Sequence, residues 1–420
     1  MHKSKNGFTI VELVIVIAVI SILAAVLIPT FSNLVKKANI ANDTALAKNI
    51  NTALTAYEAI NGKVDEFSDV IAAARDAGYI ISNLNPTTEG CYFVWESDSN
   101  QILLVDGDNG YEVIYANNEK YTKAGNTWYF AVRTQAEAAA IKAAAGMADV
   151  NAKLAISKTS TLNTEINNIT SGETVYIDGA IEVDDKNTIK LDKADADVTI
   201  DLGSSEVTGG SYNEALDAVP IKVEAGKLTL KNGVIAATGR FIDEDGYTTD
   251  IPFEAKKGTY TKIDGTVFNI ETTNKGYLMF HNNADVENVT INTADCGINL
   301  NGADVVTIKN TTINSDDYCF FVSNWNGTNH TTEHSKLVIE SGTYNAAKNN
   351  IEVYTGEATI NGGSFTAENG FIIYFYLSGH KVTVTGGTFN GVSFDKITNW
   401  STITNGNVTK NADGTVTITK

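Results

Sequence analysis

The sequence is poor in cysteine. It has three, Cys91, Cys296 and Cys319, in 420 residues. Three thiols spread so widely exclude the dense disulfide framework of a small secreted domain, so the fold depends on its apolar core. Cys296 and Cys319 are 23 residues apart, a spacing compatible with a disulfide, and of the two alternatives we favour two buried thiols.

Proline and arginine are also scarce. The chain has four prolines, as expected of a strand-rich body, since proline removes a hydrogen bond from a β-ladder. It has only three arginines, and its formal net charge is −19. Nucleic-acid affinity depends on cationic side chains, so we expect no direct contact with nucleic acid. The length is sufficient for about two or three domains.

Charge is missing from one long stretch near the N-terminus. Residues 13–28 carry no charge, and Ser21 is their only polar residue. Counted from Phe8, the apolar run has 21 residues. As a helix it would be about 30 Å long, the thickness of a bilayer core. A cleaved signal peptide would have a shorter run followed by a small-x-small site. An ordinary anchor leaves Glu12 unexplained, because a carboxylate in a membrane helix costs about 3 kcal/mol.

The hexapeptide 7–12, Gly-Phe-Thr-Ile-Val-Glu, lies between a basic leader and this apolar run. It resembles the class III signal of type IV pilins and pseudopilins, and the resemblance extends over roughly residues 1–130. It implies that a prepilin peptidase cuts after Gly7 and methylates the new amine of Phe8. It also implies helix-on-helix packing in a filament, where Glu12 pairs with the Phe8 ammonium of a neighbouring subunit. Pro29 lies where pilins commonly have a proline.

The same resemblance implies a location and a set of partners. Residues 8–28 would form a single transmembrane helix, with a cytoplasmic N-terminus before assembly and an extracellular pilus or cell-surface position afterwards. Other pilin subunits, the prepilin peptidase and the membrane would be its partners. The assembly could be a type IV pilus or the pseudopilus of type II secretion or competence.

The predicted elements of the N-terminal part match a pilin module. Residues 1–7 are the leader, and 8–61 predict one long helix with a kink or local melting at Pro29. Residues 62–133 predict a globular head made of a short helix over 65–77 and a small antiparallel sheet. Its strands are expected at 91–95, 101–105, 111–115 and 128–132. The turn 106–110 has calcium-like residues but lacks an EF-hand's remaining ligands, so we expect a plain hairpin turn and no metal.

Residues 134–169 are predicted to form a helical linker and cap. Thr134 and Glu137 make a capping box in front of an alanine-rich run, which predicts a helix to about Ile156. A second short helix is expected over 161–169. It would cover the open N-terminal end of the next domain, because an uncovered sheet edge invites aggregation.

A six-residue register recurs through the C-terminal half. An apolar residue is followed by a corner rich in Asn, Gly and Ser, and then by a second apolar residue, as in Ile360–Phe365 and Val384–Phe389. The copies begin at Leu202, Leu230, Ile263, Val286, Ile308, Ile339, Ile360, Val384 and Ile403. Intervals of 19 to 33 residues between copies predict a stacked solenoid with insertions.

We therefore predict an α+β pilin module followed by a mainly-β, right-handed parallel β-helix over residues 170–420. The β-helix segment resembles the pectate-lyase-like class. The main alternative is an antiparallel β-sandwich or jelly roll, which would show strand pairs joined by two-residue turns instead of one recurring register.

Catalytic chemistry is weakly represented in the predicted β-helix. Its only arginine is Arg240, whereas lyase and hydrolase sites of this fold class use arginine or lysine beside clustered carboxylates. Residues 379–381, Gly-His-Lys, match a hydrolase motif only in part. His330 and His334 lie in a segment that predicts a polar loop. We expect no catalytic residue, no cofactor and no metal.

Two aromatic segments, 241–257 and 316–333, lengthen the repeat and are predicted to be insertions. Insertions of solenoids tend to gather on one face, where they often bind ligands. The candidate ligand-binding residues are Phe241, Tyr247, Asp316, Asp317, Tyr318, Trp325 and His330. The predicted function is that of a filament subunit, minor or at the tip, that displays the β-helix for surface adhesion or glycan binding. The alternative is a polysaccharide lyase or hydrolase tethered to a pilus or pseudopilus.

Overall fold

The structure is a computed structural model. It describes residues 10–64, 67–79, 86–118, 120–121, 128–132, 150–156, 159–169, 171–172, 174–177, 181–183, 188–203, 205–209, 219–237, 241–242, 248–249, 251–271, 276–303, 305–324, 335–376, 381–390, 407–410 and 416–419. Contacts divide the chain into an N-terminal unit (1–65, 83–131 and 141–151) and a C-terminal unit (66–82, 132–140 and 152–420).

Helix α1 (Ile10–Asn61) is the long element of the N-terminal unit. At 1.5 Å per residue it is about 78 Å long. The helix continues through Pro29 without a break, so the local melting predicted there is absent. The large apolar side chains of its first half are exposed, as at Ile10 and Ile28. By length and mean hydropathy taken together, no helix among the described residues meets the requirement for a membrane span.

The head of the N-terminal unit is a small antiparallel sheet, as predicted. Its strands are β1 (Cys91–Glu96), β2 (Gln101–Asp106), β3 (Glu112–Tyr115) and β4 (Trp128–Val132), in the order β3-β2-β1-β4. The β1–β2 turn ends on Asn100, whose φ of 46° suits an asparagine. A short 3₁₀ turn (Gly107–Asn109) follows β2, and the Asp106 side chain accepts a hydrogen bond from the Asp108 amide.

Two polar side chains of α1 fix the helix to this head. Asp43 is fully buried and accepts hydrogen bonds from the backbone amides and hydroxyls of Thr87 and Thr88, at 2.6 to 3.0 Å. The Asn51 amide donates to the Ile102 carbonyl at 2.9 Å, and its oxygen accepts from the Ile102 amide at 2.7 Å. Helix and sheet are therefore joined by specific bonds as well as by apolar packing.

The C-terminal unit is a parallel β-helix, as predicted. Three sheets, A, B and C, run along it, and each coil contributes a strand to A, then B, then C. Sheet A contains β5 (Val150–Ile156), β6 (Thr174–Ile177), β9 (Asp197–Asp201), β12 (Lys227–Lys231), β17 (Tyr260–Asp264), β20 (Asn283–Glu287), β23 (Val306–Lys309), β26 (Lys336–Ile339), β29 (Glu357–Ile360) and β32 (Lys381–Val384).

Sheet B contains β7 (Ile181–Val183), β10 (Glu206–Gly209), β13 (Val234–Ala237), β18 (Val267–Ile270), β21 (Thr290–Thr293), β24 (Thr311–Ser315), β27 (Gly342–Ala346), β30 (Ser364–Ala367) and β33 (Gly387–Asn390). Sheet C contains β8 (Ile189–Leu191), β11 (Ile221–Val223), β16 (Phe253–Ala255), β19 (Leu278–Phe280), β22 (Cys296–Asn301), β25 (Tyr318–Ser323), β28 (Ile351–Val353) and β31 (Ile373–Phe375).

The six-residue register is confirmed over the described coils. Its first position forms one continuous ladder in sheet A: Leu230, Ile263, Val286, Ile308, Ile339, Ile360 and Val384. Its second apolar position forms a ladder in sheet B: Ile235, Phe268, Ile291, Ile313, Tyr344, Phe365 and Phe389. All these side chains are buried. In the first predicted copy the register is wrong by two residues, because Ile200, and not Leu202, stands beside Leu230 in the ladder.

Asparagine and glycine make the corner between sheets A and B. Asn232, Asn288 and Asn310 have φ values of 58°, 55° and 47° there. This left-handed backbone is unfavourable for most residues and easiest for glycine and asparagine. Later coils turn at glycine instead; a Cβ on Gly342 would lie 2.2 Å from the Thr311 carbonyl oxygen. The composition of the repeat therefore follows from the geometry of its corners.

The N-terminal end of sheet C is covered by helix α3 (Thr159–Asn168). Asn163 donates to the Thr188 carbonyl and accepts from the Lys190 amide. One helical turn later, Asn167 donates to the Lys190 carbonyl and accepts from the Asp192 amide. Two amide side chains thus replace the neighbouring strand that edge strand β8 lacks.

Two sequence expectations around this end are corrected. The helix expected to about Ile156 is instead strand β5 from Val150, which pairs with β6, because its apolar residues alternate with polar ones at a period of two. Residues 133–149 lie outside the described ones. Helix α2 (Phe67–Asp76), expected in the head, belongs to the C-terminal unit, where Phe67 packs edge-on against Tyr176 at 5.5 Å.

The predicted insertions are shorter than expected. Within 241–257, the short pair β14 (Phe241–Ile242) and β15 (Thr248–Thr249) is antiparallel, but Phe253–Ala255 is a core strand of sheet C. In the second segment, residues 318–323 form β25, and the corner before it needs no extra residues. The aromatic residues at 253 and 320 are therefore part of the core because they occupy inward strand positions.

The far end of sheet B closes with an antiparallel hairpin. Strand β35 (Val416–Thr419) pairs with β33 and with β34 (Asn407–Lys410). The last predicted copy, at Ile403, lies outside the described residues. Cys296 and Cys319 are both free and buried, and burial raises the pKa of Cys319 to about 12.

Candidate functional site

Aromatic side chains cover the outer surface of sheet C in the later coils. Phe321 and Tyr374 face outward on β25 and β31, on either side of Glu352 of β28 in the strand ladder. A second outward row carries Tyr354 and Tyr376, whose rings are 5.2 Å apart. We call this surface the aromatic face; it comprises Tyr318, Phe321, Glu352, Tyr354, Phe371, Tyr374 and Tyr376.

The rings of the aromatic face contact one another. Tyr374 and Tyr376 meet edge to face at 5.1 Å, and Phe371 lies 5.8 Å from Tyr374. Tyr318 and Phe321 are 5.9 Å apart. Each ring is held by its neighbours, so the surface is formed before any ligand arrives.

Glu352 is the carboxylate at the centre of the aromatic face. Only 5% of it is exposed, and its two oxygens accept hydrogen bonds from the Tyr376 hydroxyl and the Asn349 amide, both at 2.8 Å. Two effects raise the pKa of Tyr376: burial, which is the larger, and the hydrogen bond to Glu352. The hydroxyl therefore stays protonated and remains a donor.

An ion pair lies beside the aromatic face, at the corner between sheets B and C. The Lys348 ammonium is 2.8 Å from an Asp317 carboxylate oxygen, and this bond raises the pKa of Lys348. Burial raises the pKa of the adjacent Tyr318. A charged pair, Lys348 and Asp317, therefore lies next to the rings of the aromatic face.

Rings that alternate with polar groups are suited to binding a sugar. The apolar face of a pyranose packs on an aromatic ring, while hydroxyl groups of the sugar bond to nearby carboxylates and phenols. Tyr376 is 47% exposed and is therefore the most accessible ring for this contact.

The structure brings only some of the predicted ligand-binding residues together. Asp317 and Tyr318 border the aromatic face, whereas Asp316 lines a separate groove beside sheet B. Phe241 is in the β14–β15 pair, and nothing of its side chain is described. Tyr247, Trp325 and His330 lie outside the described residues, as do the processing residues Gly7 and Phe8. Glu12 lies in the first turn of α1, and Pro29 lies within the helix.

Sequence reasoning missed the centre of the aromatic face. Glu352 and Tyr374 are 22 residues apart, as are Tyr354 and Tyr376, which is one coil of the repeat. Extending the register from sheets A and B to sheet C would have aligned these residues.

Comparison with known proteins agrees with the long helix and small antiparallel sheet of the N-terminal unit. Residues 2–28 match the family described as the prokaryotic N-terminal methylation motif. The chain is 32% identical over 114 residues to the type IV wide pilus major component PilA4 of Thermus thermophilus, covering 27% of this chain and 82% of that protein. This chain belongs to the type IV pilin family.

Other pilins match a shorter stretch. The type IV major pilin protein PilE1 of Neisseria gonorrhoeae is 38% identical over 66 residues, 16% of this chain and 40% of that protein. A fimbrial protein of Moraxella nonliquefaciens is 34% identical over 80 residues, 19% of this chain and 50% of that protein. Our chain therefore spans half or less of the length of these two pilins. No solved structure matches the chain.

Proposed function

We propose that this pilin is a filament subunit whose β-helix binds glycans through the aromatic face and so attaches the filament to surfaces. The observation that carries this proposal is the exposed ring of Tyr376, held against Tyr354 and Tyr374 and bonded to the buried Glu352. Rings of this kind provide contact area at a small cost in conformational entropy.

Assembly would use the first half of α1. Its large apolar side chains are exposed along residues 10–35, and exposed apolar surface of this extent indicates an interaction site. We propose that a prepilin peptidase cuts after Gly7 and methylates Phe8, and that this helix lies in the membrane before assembly and in the filament core afterwards. The size of the β-helix favours a minor or tip position.

Glu12→Ala should block incorporation into filaments. In the filament, Glu12 would neutralise the Phe8 ammonium of a neighbouring subunit, and a buried charge left without its partner costs about 3–5 kcal/mol. We expect the variant in sheared filaments to fall at least tenfold below wild type, by quantitative mass spectrometry. Glu89→Ala, an exposed residue of the head, is the matched control. An N-terminal peptide of the variant with the mass expected for N-methyl-Phe8 would show that processing is intact. Incorporation of the variant at the wild-type level would contradict the pairing of Glu12 with Phe8.

Tyr376→Ala should weaken glycan binding without unfolding the β-helix. Removing one stacked ring costs about 1 kcal/mol, or roughly a fivefold rise in Kd, measured with full-length protein in detergent against a panel of neutral oligosaccharides. Tyr376→Phe keeps the ring and removes the hydrogen bond to Glu352, so it separates stacking from polar contact. Tyr260→Ala, on sheet A, is the control. An unchanged Kd for Tyr376→Ala would exclude the aromatic face as the binding surface.

One observation favours the alternative of a tethered lyase or hydrolase. Glu352 is a buried carboxylate beside Phe321, Tyr374 and Tyr376, and an apolar, aromatic environment suits the acid carboxylate of the pair that glycosidases use. Release of shorter oligosaccharides from the same panel by the wild type, and its loss in Glu352→Gln, would favour an enzyme over a binding protein.

A further inference from the structure

A groove of about 720 Å³ runs beside sheet B, on a different sheet from the aromatic face. Its floor includes a row of asparagines, one from each of four successive coils: Asn269, Asn292, Asn314 and Asn345. We call it the asparagine groove. Asp316, which lies beside this row, is the one groove residue among the candidates predicted from sequence.

The asparagines are bonded to one another along the β-helix. Asn292 donates to Asn269, Asn314 to Asn292, and Asn345 to Asn314, each at 2.9 Å. A side-chain amide has two N–H donors and a carbonyl with two lone pairs. The ladder uses one donor and one lone pair at each internal position, so each coil keeps a donor and an acceptor for a ligand. The bonded ladder also holds these groups at the spacing of the coils.

A second row in the groove carries carboxylates on alternate coils. Glu271, Asp316 and Glu368 are separated by Ala294 and Ala347, and backbone hydrogen bonds continue the strand ladder through this row. Neighbouring strands are about 4.8 Å apart, so successive carboxylates are about 10 Å apart along the axis. The alanines between them leave room where a larger side chain would fill the groove.

This spacing identifies a class of ligand. In an extended β-(1→4)-linked chain, successive sugars are turned by about half a revolution, so equivalent substituents face the same way on every second sugar. One disaccharide is close in length to two coils. Amines on every second sugar would meet carboxylates on every second coil, while ring hydroxyls would bond to the amide ladder. Acidic polysaccharides would be repelled by the same carboxylates.

We propose that the asparagine groove binds a linear β-(1→4)-linked glucosamine polymer lying along the β-helix axis. The three carboxylates pair with the amines of sugars one, three and five, and the asparagine amides bond to the hydroxyl groups between them. This site is independent of glycan binding on the aromatic face.

The test is a titration of full-length protein with glucosamine oligomers at mildly acidic pH, where the sugar amines carry charge. A trisaccharide reaches two carboxylates and a pentasaccharide reaches three, so affinity should rise about fivefold from three sugars to five. It should change little from three to four. The N-acetylated pentasaccharide and an oligogalacturonate should bind at least tenfold more weakly. Equal affinity of the N-acetylated oligomer would overturn the pairing with amines.

Two triple variants distinguish binding in the asparagine groove from nonspecific attraction by the negative charge of the protein. The triple variant Glu271→Gln, Asp316→Asn, Glu368→Gln should lose at least twentyfold in affinity for the pentasaccharide. The control triple variant changes carboxylates outside the groove lining: Asp195→Asn, Glu206→Gln and Glu357→Gln.

Equal losses in both triple variants would mean attraction by net charge alone and would overturn the proposal. Tyr376→Ala should leave glucosamine binding unchanged. If it abolishes that binding, the ligand lies on the aromatic face and the groove is not its site.

Discussion

Replacing Asp43 with alanine should unfold the head of the pilin module at a much lower temperature than in the wild type. The Asp43 carboxylate is fully buried and accepts four hydrogen bonds from Thr87 and Thr88. Bonds to a charged group are strong, and alanine leaves the amide and hydroxyl of the buried Thr88 without acceptors, while those of the exposed Thr87 can bond to water. We expect a loss of about 3–5 kcal/mol in the free energy of unfolding of this unit.

The measurement is thermal unfolding of the full-length chain in detergent. Trp95 and Trp128 are buried in the head. With the other two tryptophans, Trp325 and Trp400, replaced by phenylalanine in every protein compared, fluorescence reports on the N-terminal unit, and the circular dichroism of the β-helix reports on the C-terminal unit. Asp43→Asn keeps the shape and removes the charge, and we expect its unfolding temperature to lie between those of Asp43→Ala and the wild type. A transition of the head that stays at the wild-type temperature in Asp43→Ala would show that these bonds do not hold helix and head together.

Phe365→Ala should destabilise the later coils of the β-helix by about 3–5 kcal/mol. The Phe365 ring is fully buried, 4.8 Å from Tyr344 in the preceding coil and 5.3 Å from Phe389 in the next. Removing it opens a cavity in the middle of a stack of rings. Because each coil of a solenoid contacts mainly its neighbours, the loss should be local.

Hydrogen exchange by mass spectrometry gives the position of the damage. We expect faster exchange in β27, β30 and β33 of the Phe365→Ala variant and wild-type exchange in β9 and β12. Thr366→Ala changes the next residue of the same strand, whose side chain faces outward, and should have little effect. Uniformly faster exchange over all coils would show that the β-helix unfolds as one cooperative unit.

The sequence was most informative where one physical requirement repeats. An inward apolar residue, a tight corner and a second inward residue are needed in each coil, so the ladder from Leu230 to Val384 could be predicted before any coordinates. Sheet C was not predicted, because several of its strands have only three residues and are joined to sheet B by connections of varying length. Short alternating segments such as Val150–Ile156 were hidden by an alanine-rich neighbourhood that favours helix.

The candidate sites show the same limit. Asp317 and Tyr318 were found because they lie in an aromatic segment that lengthens the repeat, but Glu352 and Tyr376 come from two further coils. Their meeting depends on stacking, which brings residues 22 or more positions apart into contact. The asparagine groove depends on side chains that are unremarkable singly and form a site only as a row.

The two closed ends of the β-helix make it a rod of adjustable length. Asn163 and Asn167 satisfy the first edge of sheet C, and an antiparallel hairpin closes the last edge of sheet B. Gain or loss of a whole coil between these ends would change the length by about 4.8 Å and leave both ends intact. A coil added within β18–β27 with asparagine at the matching position would also extend the asparagine row by one position. Such a coil would lengthen the β-helix and the asparagine row together.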